Sequence, residues 1–198
     1  MNSGPTSERV YDTLKLRLLG HEFAPGDHLD PASLHGQLGS SVTPVREALY
    51  RLAGERLVDM RTSSGFHVPF IDEPGLQDLY DWNAEVLLAA IRLWPAARPR
   101  GDDKGSSVGA AVPEVFDGVA RRTGNAEVTG AIAGLNDRLS AVRHVEEAVL
   151  GGIGIEREDL RDALAREDRQ ALRSAVTRYH RRRRRSAAAI VRALYRSG

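Results

Sequence analysis

From Phe23 to Val68 the chain alternates short helical patterns with residues that stop a helix, and this spacing leaves few folds open. Phe23-Ala24-Pro25-Gly26 breaks the chain in a turn. Asp30-Pro31 then pairs a helix-capping residue with a proline at the first helical position. The apolar face of this helix, Leu34 and Leu38, is short, and Gly39 ends it. Ser41 or Thr43 caps a third helix through about Gly54, with Val45, Ala48, Leu49 and Leu52 as its inward face. Leu57–Met60 and Phe66–Pro69 read as short strands joined by the turn-rich Arg61–Gly65. Upstream, Val10, Leu14 and Leu18, with Tyr11 and Leu19 beside them, mark a first helix over residues 8–19, capped by Ser7. Helix, helix, turn, helix and hairpin together predict a winged helix-turn-helix over residues 1–70.

Such an arrangement presents one helix to the DNA major groove. The third helix has the division of labour this needs, because Thr43, Arg46 and Tyr50 share a face other than the apolar one. An arginine can read a guanine edge with two parallel hydrogen bonds, and a threonine can meet a phosphate or a thymine methyl. The free backbone N–H groups at the start of that helix are suited to a phosphate.

The segment FAPGDHLDPASLHGQLGSSVTPVREALYRLAGERLVDMRTSSGFHV resembles the N-terminal domain of the GntR family of bacterial regulators. The strongest element is Thr43-Pro44-Val45-Arg46-Glu47-Ala48-Leu49, supported by Pro25, Gly26, Leu29, Leu34, Leu38, Gly39, Leu52, Leu57, Val58, Gly65 and Val68. The resemblance implies a sequence-specific regulator, homodimeric on a palindromic double-stranded operator. It places Ser41, Thr43 and Arg46 against DNA, with Ser64, Gly65 and His67 at the wing. Two positions depart from the family pattern. Val42 stands where an arginine that contacts DNA is usual, and Arg56 stands where a glycine is usual. Losing the first contact costs about 1–3 kcal/mol of binding.

Charge sets a condition on this reading. The 198 residues carry 28 Lys+Arg and 27 Asp+Glu, a net of +1. Residues 1–74 hold 7 basic against 10 acidic side chains, a net of −3. Affinity for DNA in general comes from neutralising phosphates, so bulk charge does not supply it here. DNA binding must rest on where a few cations are placed. The chain has no cysteine, which excludes disulfides, thiolate catalysis and Cys-based zinc sites. It also shows no secretory signal and no membrane-length apolar run, so a cytoplasmic protein with no membrane partner is expected.

After a linker at residues 71–74, residues 75–198 read as an all-helical effector-binding or dimerisation domain. The helices are expected at about 75–93, 109–123, 126–150, 156–166 and 168–195, with a polar loop over residues 95–107. The fold class is therefore mainly α, a winged helix-turn-helix followed by a helical bundle. The bundle resembles, in architecture, the FCD domain of the FadR-like subgroup, which commonly binds a small carboxylate through a metal held by one aspartate and three histidines. Its frame is legible in Phe116–Asn125 and in Leu160–Asp168, and it looks shortened between Trp94 and Val112.

The metal ligands do not carry over. Pro113, Asp117, Arg157 and Tyr179 occupy the ligand positions, with His180 one residue out of step. One step on a helix turns a side chain by about 100°. Neither a metal nor another cofactor is expected. A carboxylate-type effector would use some of Asn83, Asp117, His144, Tyr179 and His180. The run Arg181–Arg185 goes all the way round its helix and reads as a solvated section. The competing reading of the whole chain is a protein-interaction module whose winged domain has lost most of its DNA affinity. No nucleophile elbow, phosphate loop or catalytic spacing points to an enzyme.

Overall fold

A computed structural model describes residues 5–95 and 111–196. The expected loop and the shortened stretch fall mostly on residues 96–110, outside the described residues. Eight helices and one hairpin follow in the order α1 (Pro5–Leu19), α2 (Pro31–Gln37), α3 (Val42–Gly54), β1 (Asp59–Arg61), β2 (Gly65–His67), α4 (Glu73–Arg92), α5 (Val112–Arg121), α6 (Ala126–Val149), α7 (Ile153–Ala165) and α8 (Arg169–Leu194). The chain divides into two compact units, broken between Ile71 and Asp72.

In the first unit Val10 and Leu14 of α1, Leu34 of α2 and Val45, Leu49 and Leu52 of α3 close one apolar core. Each helix contributes a stripe at helical spacing, so the three pack by burying those stripes together. The Asp30 carboxylate accepts from the N–H groups of Ala32 and Ser33 at 3.0 and 3.1 Å, which fixes the start of α2. Ser7 differs from its expected capping role. It lies inside α1, which begins at Pro5, and its hydroxyl donates to Glu47 on α3 at 3.0 Å.

The wing pairs Asp59 with His67, Met60 with Phe66 and Arg61 with Gly65 in an antiparallel ladder. A third segment joins it. Leu29 N–H donates to Phe66 O at 2.8 Å and Val68 N–H to Asp27 O at 2.9 Å, with a bridge between His28 and His67. Gly26 makes this possible, with φ at +94° and the Phe70 ring packed where a Cβ would stand. Phe23–Leu29 has no alternating pattern, so the sequence showed only a turn there.

Arg56 has a φ of +61°, the left-handed region that costs an L-residue about 1–2 kcal/mol. The usual glycine at this position therefore has a conformational cause. Arg56→Gly is expected to raise stability by about 0.5–1 kcal/mol, read as a higher melting temperature.

The second unit is a bundle built around α4 and α8. Leu87, Ile91, Val115, Phe116, Val119, Ile132, Leu172 and Val176 form its core. Its helix starts are set locally: Asp72, Asn125 and Asp168 each accept from first-turn N–H groups of the helix that follows. Glu73 and Pro74, expected in the linker, are the first turn of α4.

The arginine run differs from the solvated section expected. Arg183 is 1% exposed and donates to Glu146 at 2.7 Å and Glu156 at 2.9 Å, with its guanidinium over the Tyr179 ring. Arg182 pairs with Glu156 and Arg184 with Asp81, while Arg181 and Arg185 are exposed. The α8 surface is packed on several sides, so neighbours in sequence meet different helices, and carboxylates on α4, α6 and α7 meet the arginines that turn inward.

Candidate nucleic-acid interface

On α3 the exposed face carries Ser41, Thr43, Arg46 and Tyr50. Ser41 occupies the N-cap position but makes no side-chain capping bond, and Pro44 has no N–H to satisfy. The first turn of α3 thus keeps donors open toward solvent. Tyr50 meets Phe66 of the wing edge-on, ring centroids 5.0 Å apart, which ties the reading helix to the hairpin. Periodicity placed Tyr50 on the exposed face, but its anchor lies on another element and carries no local signal.

The structure separates the cations of this unit into two sets. Arg9 donates to the carbonyls of Leu38 and Gly39, Arg17 to Glu22, Lys15 to Glu55 and Arg51 to Glu8. Arg46 makes no hydrogen bond or ion pair among the described residues, and neither does Arg56. Arg61 lies over the Phe70 ring without a carboxylate partner. The acidic excess is therefore largely engaged around α1 and the end of α3, away from the start of the reading helix. Arg46 offers an unsatisfied guanidinium beside exposed Thr43, the placement that charge balance alone could not reveal.

Of the wing residues, Ser64 and Gly65 are exposed at the hairpin. His67 is 9% exposed, its ring centroid 5.0 Å from that of His28 and its Nδ1 buried without a partner. The structure does not bring it to the exposed set with Arg46. The inward position follows from the strand register, because His67 faces the third segment, which the sequence did not show.

In the second unit Asn83, Tyr179 and His180 meet in a buried polar centre between α4 and α8. His180 Nδ1 is 2.8 Å from Val176 O, and a carbonyl only accepts, so Nδ1 carries the proton. Burial holds the ring neutral, with its pKa lowered to about 3. Nε2 is then an acceptor, 2.7 Å from the Asn83 amide. Turning that amide so its Nδ2 donates to Nε2 pairs both groups, and Nδ2 is otherwise buried without an acceptor.

Asp117 accepts from Asn136 at 2.8 Å, and burial pushes its carboxyl up. Arg143 donates to Asn136 while its Nε is buried without an acceptor. His144 is exposed on α6, outside this centre. Among the described residues no three His, Asp or Glu side chains gather as metal ligands. Both ring nitrogens of His180 are engaged, so the residues present do not form the donor set the FCD pattern implies.

The neutral His180 has a consequence for stability. Its folded pKa of about 3 lies below the unfolded 6.5, so the unfolded chain binds the proton more readily between those values. The contribution is fully present above pH 6.5 and lost as pH falls, at up to about 1.4 kcal/mol per unit. Urea unfolding at pH 6 and 5 should show this slope, and His180→Gln should lack it.

Residues 6–68 match the model of the "Bacterial regulatory proteins, gntR family". The Nta operon transcriptional regulator of Aminobacter aminovorans is 35% identical over 75 residues, 38% of this chain and 36% of that protein. The HTH-type transcriptional repressor GlaR of Escherichia coli K12 is 32% identical over 99 residues, 50% of this chain and 44% of the repressor. The matched region thus spans less than half the length of these curated relatives. A putative GntR regulator from Rhodococcus sp. RHA1 shares the fold with a TM-score of 0.77 at 19% identity, covering 92% of this chain and 97% of that one. E. coli McbR/YncC does so with a TM-score of 0.67 at 20% identity, covering 98% and 100%.

Proposed function

From an N-terminal domain of the gntR family of bacterial regulatory proteins, we propose that this chain is a transcription regulator reading a palindromic operator as a homodimer. The family and the named relatives point to regulators, not enzymes. The observation that carries the proposal is the exposed face of α3, where Arg46 keeps its guanidinium unpaired while four other cations of the unit are engaged internally. Ser41, Thr43 and Arg46 contact the major groove, and Ser64 and Gly65 bring the wing to the backbone. Two reading helices on a two-fold dimer contact half-sites about one helical turn apart.

The helical domain is FCD-like in this reading and takes a carboxylate-type effector without a metal. Arg143 supports this, as a part-buried cation with an open Nε beside Asn136 and near the Asn83–His180 centre. An effector there acts by binding one arrangement of the two reading heads better than the other.

Footprinting on the DNA adjoining its own gene tests the proposal. Two protected half-sites in the major groove are expected, with affinity falling as salt rises by about 0.9 log unit per log unit of salt for each phosphate contacted. Lack of measurable affinity at low salt overturns it and favours a protein-interaction module, a reading that the net −3 charge and Val42 would then explain.

A further inference from the structure

Helix α4 carries two apolar stripes, and only one of them is used inside the bundle. Leu76, Tyr80, Leu87, Ala90 and Ile91 face inward. Leu79, Trp82, Val86, Ala89 and Leu93 follow one another at steps of three, four, three and four residues. That spacing is the seam by which one helix packs on another. The ends of the second stripe are open to solvent, with Trp82 57% and Leu93 55% exposed, and Leu79, Val86 and Ala89 are partly buried. The stripe spans about 21 Å of helix.

We propose that this stripe packs on the same stripe of a second copy, with the two α4 helices antiparallel about a two-fold axis near Val86. The inference rests on the homodimer proposed above and assigns its interface. Two features of the chain favour a second copy over another partner. An antiparallel pair centred at Val86 sets Trp82 against the partner's Ala89 and Leu93 against the partner's Leu79, so the largest side chain meets the smallest at both ends.

The flank of the stripe is the second feature. Asp78, Glu85 and Arg92 recur every seven residues beside it, are exposed, and make no ion pair among the described residues. The antiparallel pair places Asp78 against the partner's Arg92 twice, whereas a parallel pair would place like charges together along the whole flank. Glu85 meets its own copy near the axis, the one like-charge contact of the arrangement.

Sedimentation equilibrium on the full chain tests the assignment. The wild type is expected to dimerise, and Trp82→Glu/Leu93→Glu to weaken dimerisation by at least about a hundredfold, since four exposed apolar side chains lose their cover. Its helical circular dichroism and its binding to a single DNA half-site should remain, because neither residue is buried or on the DNA-binding unit. Arg92→Glu should weaken the dimer, adding Asp78→Arg should restore it, and Glu85→Gln should tighten it. A wild type that stays monomeric, or a dimer unaffected by Trp82→Glu/Leu93→Glu, overturns the proposal. Failure of the charge swap to restore the dimer overturns the antiparallel register. A dimer broken by these changes in a chain that binds no half-site DNA upholds the seam and overturns the operator reading instead.

Discussion

Replacing Arg46 with alanine is expected to weaken binding to each operator half-site by about 1–3 kcal/mol, roughly ten- to 150-fold, with the melting temperature unchanged. The size follows from a bidentate guanidinium contact in a groove where water no longer competes, and from the absence of a nearby cation to take it over. Arg9, Lys15, Arg17 and Arg51 are each engaged within the unit, and Val42 offers no charge at the neighbouring position. A full palindrome contains the contact twice, so the loss there is about double on a free-energy scale.

Arg46→Lys separates the two roles a cation can have. Lysine keeps the charge but not the planar fork, so discrimination between operator and scrambled DNA should fall while the salt dependence is retained. Anisotropy titrations on both DNAs at several salt concentrations measure this. Equal affinity and equal discrimination in wild type and Arg46→Ala would remove α3 from the role of reading helix.

The second large effect is expected in the helical domain. Arg183→Met should cost about 3–5 kcal/mol, because it leaves the Glu146 carboxylate buried without its cation. Glu146 is 2% exposed and also accepts from the Tyr80 hydroxyl at 2.7 Å. Burial and then the Glu146 carboxylate push that hydroxyl's pKa up, so it stays a donor. The loss is a large part of the roughly 5–15 kcal/mol by which domains of this kind are stable.

Replacing the group as a whole, with Arg183→Met, Glu146→Met and Tyr80→Phe together, should recover most of the loss, since no unpaired buried charge remains. Chemical unfolding followed by circular dichroism distinguishes the cases. A cost below about 1 kcal/mol for Arg183→Met would show that water reaches the cluster and that packing does not depend on it.

The winged unit was legible because its signals are local and dense. Asp30-Pro31, Gly39 and the Thr43–Leu49 motif each act within a few residues, and the helices begin and end close to where they indicate. The strands at Asp59–Arg61 and Gly65–His67 are shorter than expected, because pairing across the hairpin sets their ends. The inward turn of His67 was not legible, since it depends on a bridge to His28 across 39 residues of chain. In the helical domain Asn83, Tyr179 and His180 come together as expected, because α4 and α8 pack side by side. His144 does not join them, since its place on α6 turns it to solvent.

The sequence by itself determined where helices start and stop, which faces are apolar, and the family of the reading domain. All of these follow from contacts within one or two turns of the same helix. The tertiary structure alone decided which charges are used internally and which are left for a partner. Five consecutive arginines in α8 have the same chemistry, yet Arg183 is buried between two carboxylates and Arg181 faces water. On α1 and α3, Arg51 meets Glu8 across 43 residues while Arg46, five residues earlier, meets nothing. The rotation and packing of one helix against another sets those fates, because Coulomb attraction depends on distance in space and not on separation along the chain.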